Sequence, residues 1–377
     1  MTLPLTSVVD TGRLIVCAGP GGVGKTTSSA ALGLEAAVRG RKVIVLTIDP
    51  ARRLANSLGL ETLTNEPQRI SMDAIPGAKG ELWAMMLDQQ QTLDDLVAKY
   101  APDKGALARS KKNNIYRLLS STLAGMQEYM ALDKLHDLYT GGYFDLVVLD
   151  TPPTKNALDF LSTPGRARQF FDDRVMKWFI PSKSASRGLF SRVFDPGSMV
   201  TSLLGKIFGD VFVTDLVDFF DTLSFLQEAL RTRGEMIDFI LRDDGTHFVV
   251  ITSAESRRIK EAVFFHEKLG ELQQKAAAFV LNRVIPNFDE ADLDGLDPLK
   301  VKKAFKAAGV DDYAQLETAM RAHYSELARL SAHNREIIER FAKQVGKDRL
   351  CTVPLFGDDV HDLSQLRLLA SYLVDRL

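Results

Sequence analysis

Cysteine is scarce in this chain. Only Cys17 and Cys351 occur among 377 residues, and each sits in an apolar run. Neither belongs to a C-x-x-C pair, and the six histidines show no metal-ligand spacing with them, so no zinc site is expected. The same count excludes a disulfide framework; two buried free thiols fit a reducing cytoplasm. No charge of one sign dominates, since 47 Lys and Arg face 49 Asp and Glu, a net charge of −2. No whole-molecule field therefore draws the chain to nucleic acid, and no nucleic-acid partner is expected. No apolar run of about 18 residues is free of charge, so no membrane-spanning helix is expected. The first residues lack a basic, apolar signal segment, and residues 1–12 read as a short lead-in. Internal repeats and low-complexity linkers are also missing. What remains is an ordinary globular composition, 45% hydrophobic and 25% charged. It is enough for one large domain with inserts, or for two domains.

Against that background one stretch stands out. Gly19-Pro20-Gly21-Gly22-Val23-Gly24-Lys25-Thr26-Thr27 fits G-x-x-x-x-G-K-[ST], the pattern of a phosphate-cradling loop. Arg13 to Ala18 before it reads as a buried strand, and Thr26 to Val38 after it as an Ala- and Leu-rich helix. The glycines let the backbone curl with its N–H groups inward, and the helix N-terminus adds partial positive charge. The pattern implies that Gly21, Gly22, Val23, Gly24, Lys25, Thr26 and Thr27 bind a nucleoside triphosphate. Lys25 would reach the terminal phosphates, and the Thr26 hydroxyl would ligate Mg²⁺.

The rest of the chain alternates strands and helices. Lys42 to Ile48 is a second buried strand, and it ends in Asp49-Pro50-Ala51-Arg52-Arg53. Asp49 reads either as a site carboxylate at a strand end or as a helix cap before Pro50. Strands are expected at Gln68 to Met72 and Leu82 to Leu87, then helices from Asp88 to Thr140. Tyr143 to Asp150 is a further strand closed by an acid, the Walker B pattern, in which Asp150 would hold Mg²⁺ through water. An acid ending an apolar strand is also common. Thr151-Pro152-Pro153-Thr154 follows as a rigid turn.

Twelve of the 21 phenylalanines then fall between Phe160 and Phe239. Phe212, Leu216, Phe219, Phe220 and Leu223 share one helical face, with Asp215, Asp218 and Thr222 on the other. These helices either pack on one another or form an apolar groove that opens with the nucleotide. Strands resume at His247 to Ser253 and at Ala276 to Leu281. The second ends in Asn282-Arg283, where the Asn282 amide can read an adenine edge or cap a turn. Asp289 to Lys347 is polar and helical, and its Lys300, Lys302, Lys303 and Lys306 read as a solvated face. A last strand, Leu350 to Val353, leads through Pro354 to a closing helix from Leu363. The order predicts an α/β fold, a doubly wound, mostly parallel sheet of P-loop NTPase type with an inserted α-helical subdomain.

Taken together, the motifs resemble one family. Gly21-Gly22-Val23-Gly24-Lys25-Thr26-Thr27 is similar to the loop of the deviant Walker A ATPases. Thr47-Ile48-Asp49-Pro50-Ala51 resembles switch I of the arsenite-pump ATPase and of the ATPase that targets tail-anchored membrane proteins. Asp150-Thr151-Pro152-Pro153-Thr154 resembles their switch II, and Leu281-Asn282-Arg283 and Val353-Pro354-Leu355 their adenine-side segments. The resemblance implies a single ATPase domain over 1–377, with helical inserts over 88–140 and 160–244 and a polar helical insert over 289–347. It implies ATP and Mg²⁺ as ligands, Asp49 and Lys25 as catalytic, Thr26 and Asp150 at the metal, and Asn282 and Pro354 at the adenine. It further implies a cytoplasmic enzyme, peripheral at the membrane, that uses ATP to gate a groove for hydrophobic membrane-protein segments. The alternatives it leaves are an arsenite or anion pump motor and a slow regulatory subunit.

One position departs from the pattern. The family's signature lysine, which reaches across a dimer to the partner's phosphates, is replaced by Pro20. Losing that cation would remove about 2–4 kcal/mol of transition-state stabilisation if nothing replaced it. Arg52, Arg53 and Lys155 are the nearby candidates. Otherwise the partner is a related chain that retains the lysine, so both a homodimer and a heterodimer are expected forms.

Overall fold

A computed structural model of the chain describes residues 3–49, 53–101, 103, 105–117, 126–153, 206, 209–289, 295–310 and 313–375. Among these, one eight-stranded sheet forms the frame, in the order β3-β4-β2-β5-β1-β6-β7-β8. Its strands are β1 (Leu14–Ala18), β2 (Lys42–Thr47), β3 (Gln68–Ile70), β4 (Glu81–Met86), β5 (Leu146–Asp150), β6 (Thr246–Ser253), β7 (Ala276–Val284) and β8 (Leu350–Pro354). All neighbours pair in parallel except β3, which runs antiparallel to β4 at one edge. The fold is α/β, doubly wound, with the helices on both faces.

The apolar runs explain the centre. Every residue of β1 and β5 is buried, as expected for parallel strands covered on both sides. Alternate side chains serve the two layers. Leu14, Val16 and Ala18 face a core built with α4 (Gln89–Tyr100), α5 (Ala106–Lys112), α6 (Met126–Thr140), α7 (Asp210–Arg242), α8 (Ser256–Glu271) and α10 (Ala314–Val345). Ile15 and Cys17 face the opposite core, with α1 (Leu5–Thr11), α2 (Lys25–Val38), α3 (Arg53–Ser57) and α11 (Leu363–Ala370). Outside both cores, α9 (Pro298–Ala307) buries no residue, and its four lysines face solvent or lie at its edge.

Two expectations change. The lead-in is a helix: Leu5, Val8 and Val9 of α1 are buried, and the Asp375 carboxylate accepts from the Leu3 N–H at 2.9 Å and the Thr6 hydroxyl at 3.0 Å. A spacing of Leu5, Val8 and Val9 is enough for one buried face, and the far end of the chain completes it. The strand read from Tyr143 begins only at Leu146, because Tyr143 and Phe144 leave the ladder and pack edge-on against Trp83. On α7, Asp215 is bonded to the segment around residues 113 and 114. Its carboxylate accepts from the Asn114 amide at 2.7 Å, and its carbonyl from the Asn113 amide at 2.5 Å.

The buried stripe of α7 runs through Phe219, Leu226, Leu230, Ile237 and Leu241, while Phe212 is 41% exposed. The side chains of Phe220, Thr222 and Leu223 lie outside the described residues, as do residues 160–205 of the expected insert and Thr154 and Lys155.

One buried ion pair ties α7 to α6, the helix leading into β5. Arg233 donates from Nε to the Asp133 carboxylate, from Nη2 to the Asp133 carbonyl at 3.1 Å, and pairs with Asp137 at 2.7 Å. The Tyr129 hydroxyl donates to the Leu230 carbonyl at 2.8 Å beside it. Removing one partner strands a buried charge, whereas removing both leaves only a packing change. Arg233→Ala is expected to cost about 3–5 kcal/mol in denaturant unfolding, and the pair Arg233→Met with Asp133→Leu to recover most of it.

Candidate functional site

Brought together at the carboxyl ends of the central strands are the phosphate loop, two carboxylates and an amide. The loop leaves β1 at Gly19, where a Cβ would fall 1.9 Å from the Ile251 carbonyl of β6. It enters α2 through Gly24 at φ +88°, where a Cβ would meet the Asn282 amide nitrogen at 2.3 Å. Only glycine fits either place. Helix α2 has neither a side-chain cap nor an acid in its first turn, so its leading N–H groups are left for an anion. Lys25 is buried, and its ammonium donates to the Pro20 carbonyl at 2.9 Å. Burial pulls its pKa below the ordinary lysine range, with Asp150 and Asp49 opposing the shift. Thr26 is buried and Thr27 half-buried on the same turn.

Register places the acid. Asp150 of β5 lies abreast of Thr47 on β2 and of Cys17 on β1. Its Oδ2 accepts from the Thr26 hydroxyl at 2.7 Å and from the Thr47 hydroxyl at 2.8 Å. Its Oδ1 is buried without a hydrogen-bond partner. A buried acceptor with no donor is costly and calls for a missing partner. An oxygen-only donor set of Asp150 beside the Thr26 hydroxyl suits Mg²⁺, so the residues fit that ion. Burial pushes the Asp150 carboxyl up to about 6, against the pull of the two hydroxyls and of Lys25.

Sequence reasoning missed Thr47 as a site residue. The available signal was a lone hydroxyl closing an otherwise apolar strand. Its oxygen also accepts from the Asp49 N–H at 3.2 Å, so one hydroxyl joins the two acids. The Asp49 carboxylate is 30% exposed and lies 3.5 Å from the Arg53 guanidinium. Arg53 is thus held by Asp49, while Pro50, Ala51 and Arg52 lie outside the described residues.

Asn282, near the end of β7, is buried against the loop. Its amide donates to the Val23 carbonyl at 2.9 Å, and its carbonyl oxygen accepts from the Arg283 N–H at 2.9 Å. Each end of the amide retains capacity for one further bond. Pro354 closes β8 opposite Val284. On the other flank the Thr151 hydroxyl donates to the Cys17 carbonyl at 2.8 Å, and Pro153 comes within van der Waals reach of a Cβ built on Gly21. Burial pushes both Cys17 and Cys351 thiols up to about 12. Among the described residues, no cluster of three or more His, Cys, Asp or Glu is arranged to hold a metal, and no helix is long and apolar enough to cross a membrane.

Known proteins resemble this chain over much of its length. A family model described as anion-transporting ATPase matches residues 12–326. A protein of Aquifex aeolicus named as an arsenical pump-driving ATPase is 28% identical over 73% of this chain and 64% of its own length. The chain therefore spans less than two thirds of that relative. The ATPase get3 of Aspergillus terreus is 26% identical over 77% of this chain and 79% of its own length. An ATPase ASNA1 homolog of Entamoeba dispar is 24% identical over 75% of this chain and 80% of its own.

The raised Asp150 pKa has a consequence for stability. A carboxylate held ionised in a site that favours the neutral form weakens folding above its folded pKa, and the penalty vanishes once both states are protonated. Asp150→Asn, whose amide oxygen can still accept from Thr26 and Thr47, is expected to melt higher than the parent at pH 8 without ligand. The advantage should fade as pH falls from about 6 toward about 4, as read by thermal unfolding across pH. In the same variant Mg²⁺-dependent nucleotide binding should drop.

Proposed function

The chain belongs to the anion-transporting ATPase family, and we propose that it binds ATP with Mg²⁺ in the Gly19–Thr27 loop and hydrolyses it to ADP and phosphate. The observation that carries this reading is the buried Asp150 oxygen without a partner, beside the Thr26 hydroxyl at the mouth of an uncapped helix. In this reading the loop amides and Lys25 hold the phosphates, the ammonium exchanging the Pro20 carbonyl for the stronger negative charge. Thr26 and Asp150 hold Mg²⁺, which when bound neutralises charge on the phosphate oxygens. Asp49 orients the attacking water, and the Thr47 hydroxyl keeps it in step with Asp150. Asn282 and Pro354 border the adenine.

The finer reading is that turnover gates an apolar surface for membrane-protein segments, with the helical inserts over 88–140 and 160–244 as the moving part and the 289–347 helices as a polar appendage. Support comes from the phenylalanine-rich stretch, from the exposed Val211 and Phe212 within it at the start of α7, and from the get3 relative. A metalloid pump motor, the alternative favoured by the Aquifex relative's name, needs thiolates as soft ligands. Here both thiols are buried and pushed up to about 12, which weighs against it.

Pro20 favours slow turnover by the chain alone. It acts as a dimer, either with itself or with a related chain carrying the missing lysine, at the membrane periphery.

Lys25→Ala is expected to abolish binding of MgATP in equilibrium dialysis; retention of parental affinity would place the nucleotide elsewhere. An anilinonaphthalene dye should brighten or dim with MgATP in the parent and stay constant in Lys25→Ala. A dye signal indifferent to nucleotide in the parent would remove the gated surface but leave the ATPase. Mixing with a related lysine-bearing chain should raise phosphate release by tenfold or more, about 1.4 kcal/mol of barrier. No rise on mixing would leave the homodimer.

A further inference from the structure

Strand β7 ends abnormally. Its ladder with β8 pairs Leu281 with Thr352 and then Val284 with Pro354, so three steps on β7 match two on β8. That is a bulge, and it centres on Arg283, which sits at φ +57°. The other described non-glycine residue with positive φ, Gln273, follows a helix end, where left-handed residues are ordinary. Arg283 lies inside a strand, where the same conformation is strained for a side chain.

The strain has a visible product. In a regular strand, neighbouring side chains point to opposite faces. Here two neighbours reach the same loop. The Asn282 amide donates to the Val23 carbonyl at 2.9 Å, and the Arg283 guanidinium donates to the Gly22 carbonyl at 3.4 Å. The Asn282 carbonyl oxygen, taking the Arg283 N–H, holds the kink itself. Gly22 and Val23 are consecutive residues in the middle of the phosphate loop. A peptide unit whose carbonyl is drawn outward turns its N–H inward, which is the orientation an anion nest requires.

We propose that the Asn282–Arg283 bulge is a clamp on the phosphate loop, with Arg283 a positioning residue that holds the Gly22 carbonyl outward so that the loop amides face the polyphosphate. The proposal rests on the nucleotide reading above and adds to it a part of the site that the loop motif does not contain. It assigns the left-handed kink a purpose: without the bulge, Arg283 would point to the other face of the sheet. It also makes the side chain, rather than the backbone conformation alone, the active feature.

Three substitutions separate those alternatives. Arg283→Gly keeps the left-handed backbone without strain but removes the donor. Arg283→Ala removes the donor and keeps the strain. Arg283→Lys keeps a charged donor of similar reach. With purified full chain and a fluorescent MgADP analogue as probe, Gly and Ala should bind roughly three- to tenfold more weakly than the parent. Lys should return to within about twofold. Melting of the nucleotide-free proteins should stay within about 3 °C of the parent for Gly and Lys, since the contact is exposed. Parental affinity in Arg283→Gly would overturn the clamp and leave only a backbone role. The Lys25→Ala control marks the other failure: if it binds as the parent does, the nucleotide is not on this loop and both readings fall.

Discussion

A single carboxylate governs this site. Asp150 is carried to the centre of the sheet by an apolar strand, where its charge is disfavoured, and it is held there by two hydroxyls from two other segments. One belongs to the helix into which the phosphate loop runs, and the other to the strand that delivers Asp49. The second oxygen is left unpaired. A buried charge so placed is a cost to folding unless a cation joins it, and that cost is what makes the centre responsive to a metal-bound ligand.

From that carboxylate the connections run outward along two routes. Through the Thr47 hydroxyl they reach the backbone of Asp49 and so the segment after β2. Through β5 they reach Thr151, anchored on the Cys17 carbonyl, and Pro153, which lies against the loop. Beyond Asp49 and Pro153 the next residues lie outside the described ones. The helix preceding β5 is in turn joined to α7 by the buried Arg233–Asp133 pair and by the Tyr129 hydroxyl. A contiguous set of bonded elements thus links the loop to the longest of the described helices, a physical frame for coupling site to surface.

The third flank is the end of β7. Asn282 packs so closely on Gly24 that neither could change independently, and the kink at Arg283 adds a second grip on the loop. The loop is therefore held by three strands: Gly19 against β6, the Lys25 turn against β5 through Thr26, and Gly22 to Val23 against β7. Its shape belongs to the sheet as much as to its glycines.

Much of this was legible in the residue order. A glycine run between an apolar strand and an Ala-rich helix, acids closing two apolar strands, and alternating strand and helix lengths are local patterns. Local sterics and hydrophobic burial act on neighbours in the chain, so a loop, a parallel sheet and the positions of Asp49 and Asp150 follow from them. Strand order and register are different, because they depend on which distant segments meet. Only the folded chain set Thr47 abreast of Asp150, tied the helix over residues 5–11 to Asp375, and drew Asp215 onto Asn114. Only it bulged β7 so that Asn282 and Arg283 both face the loop. These are contacts between residues tens to hundreds of positions apart, and no periodicity within a short window carries them.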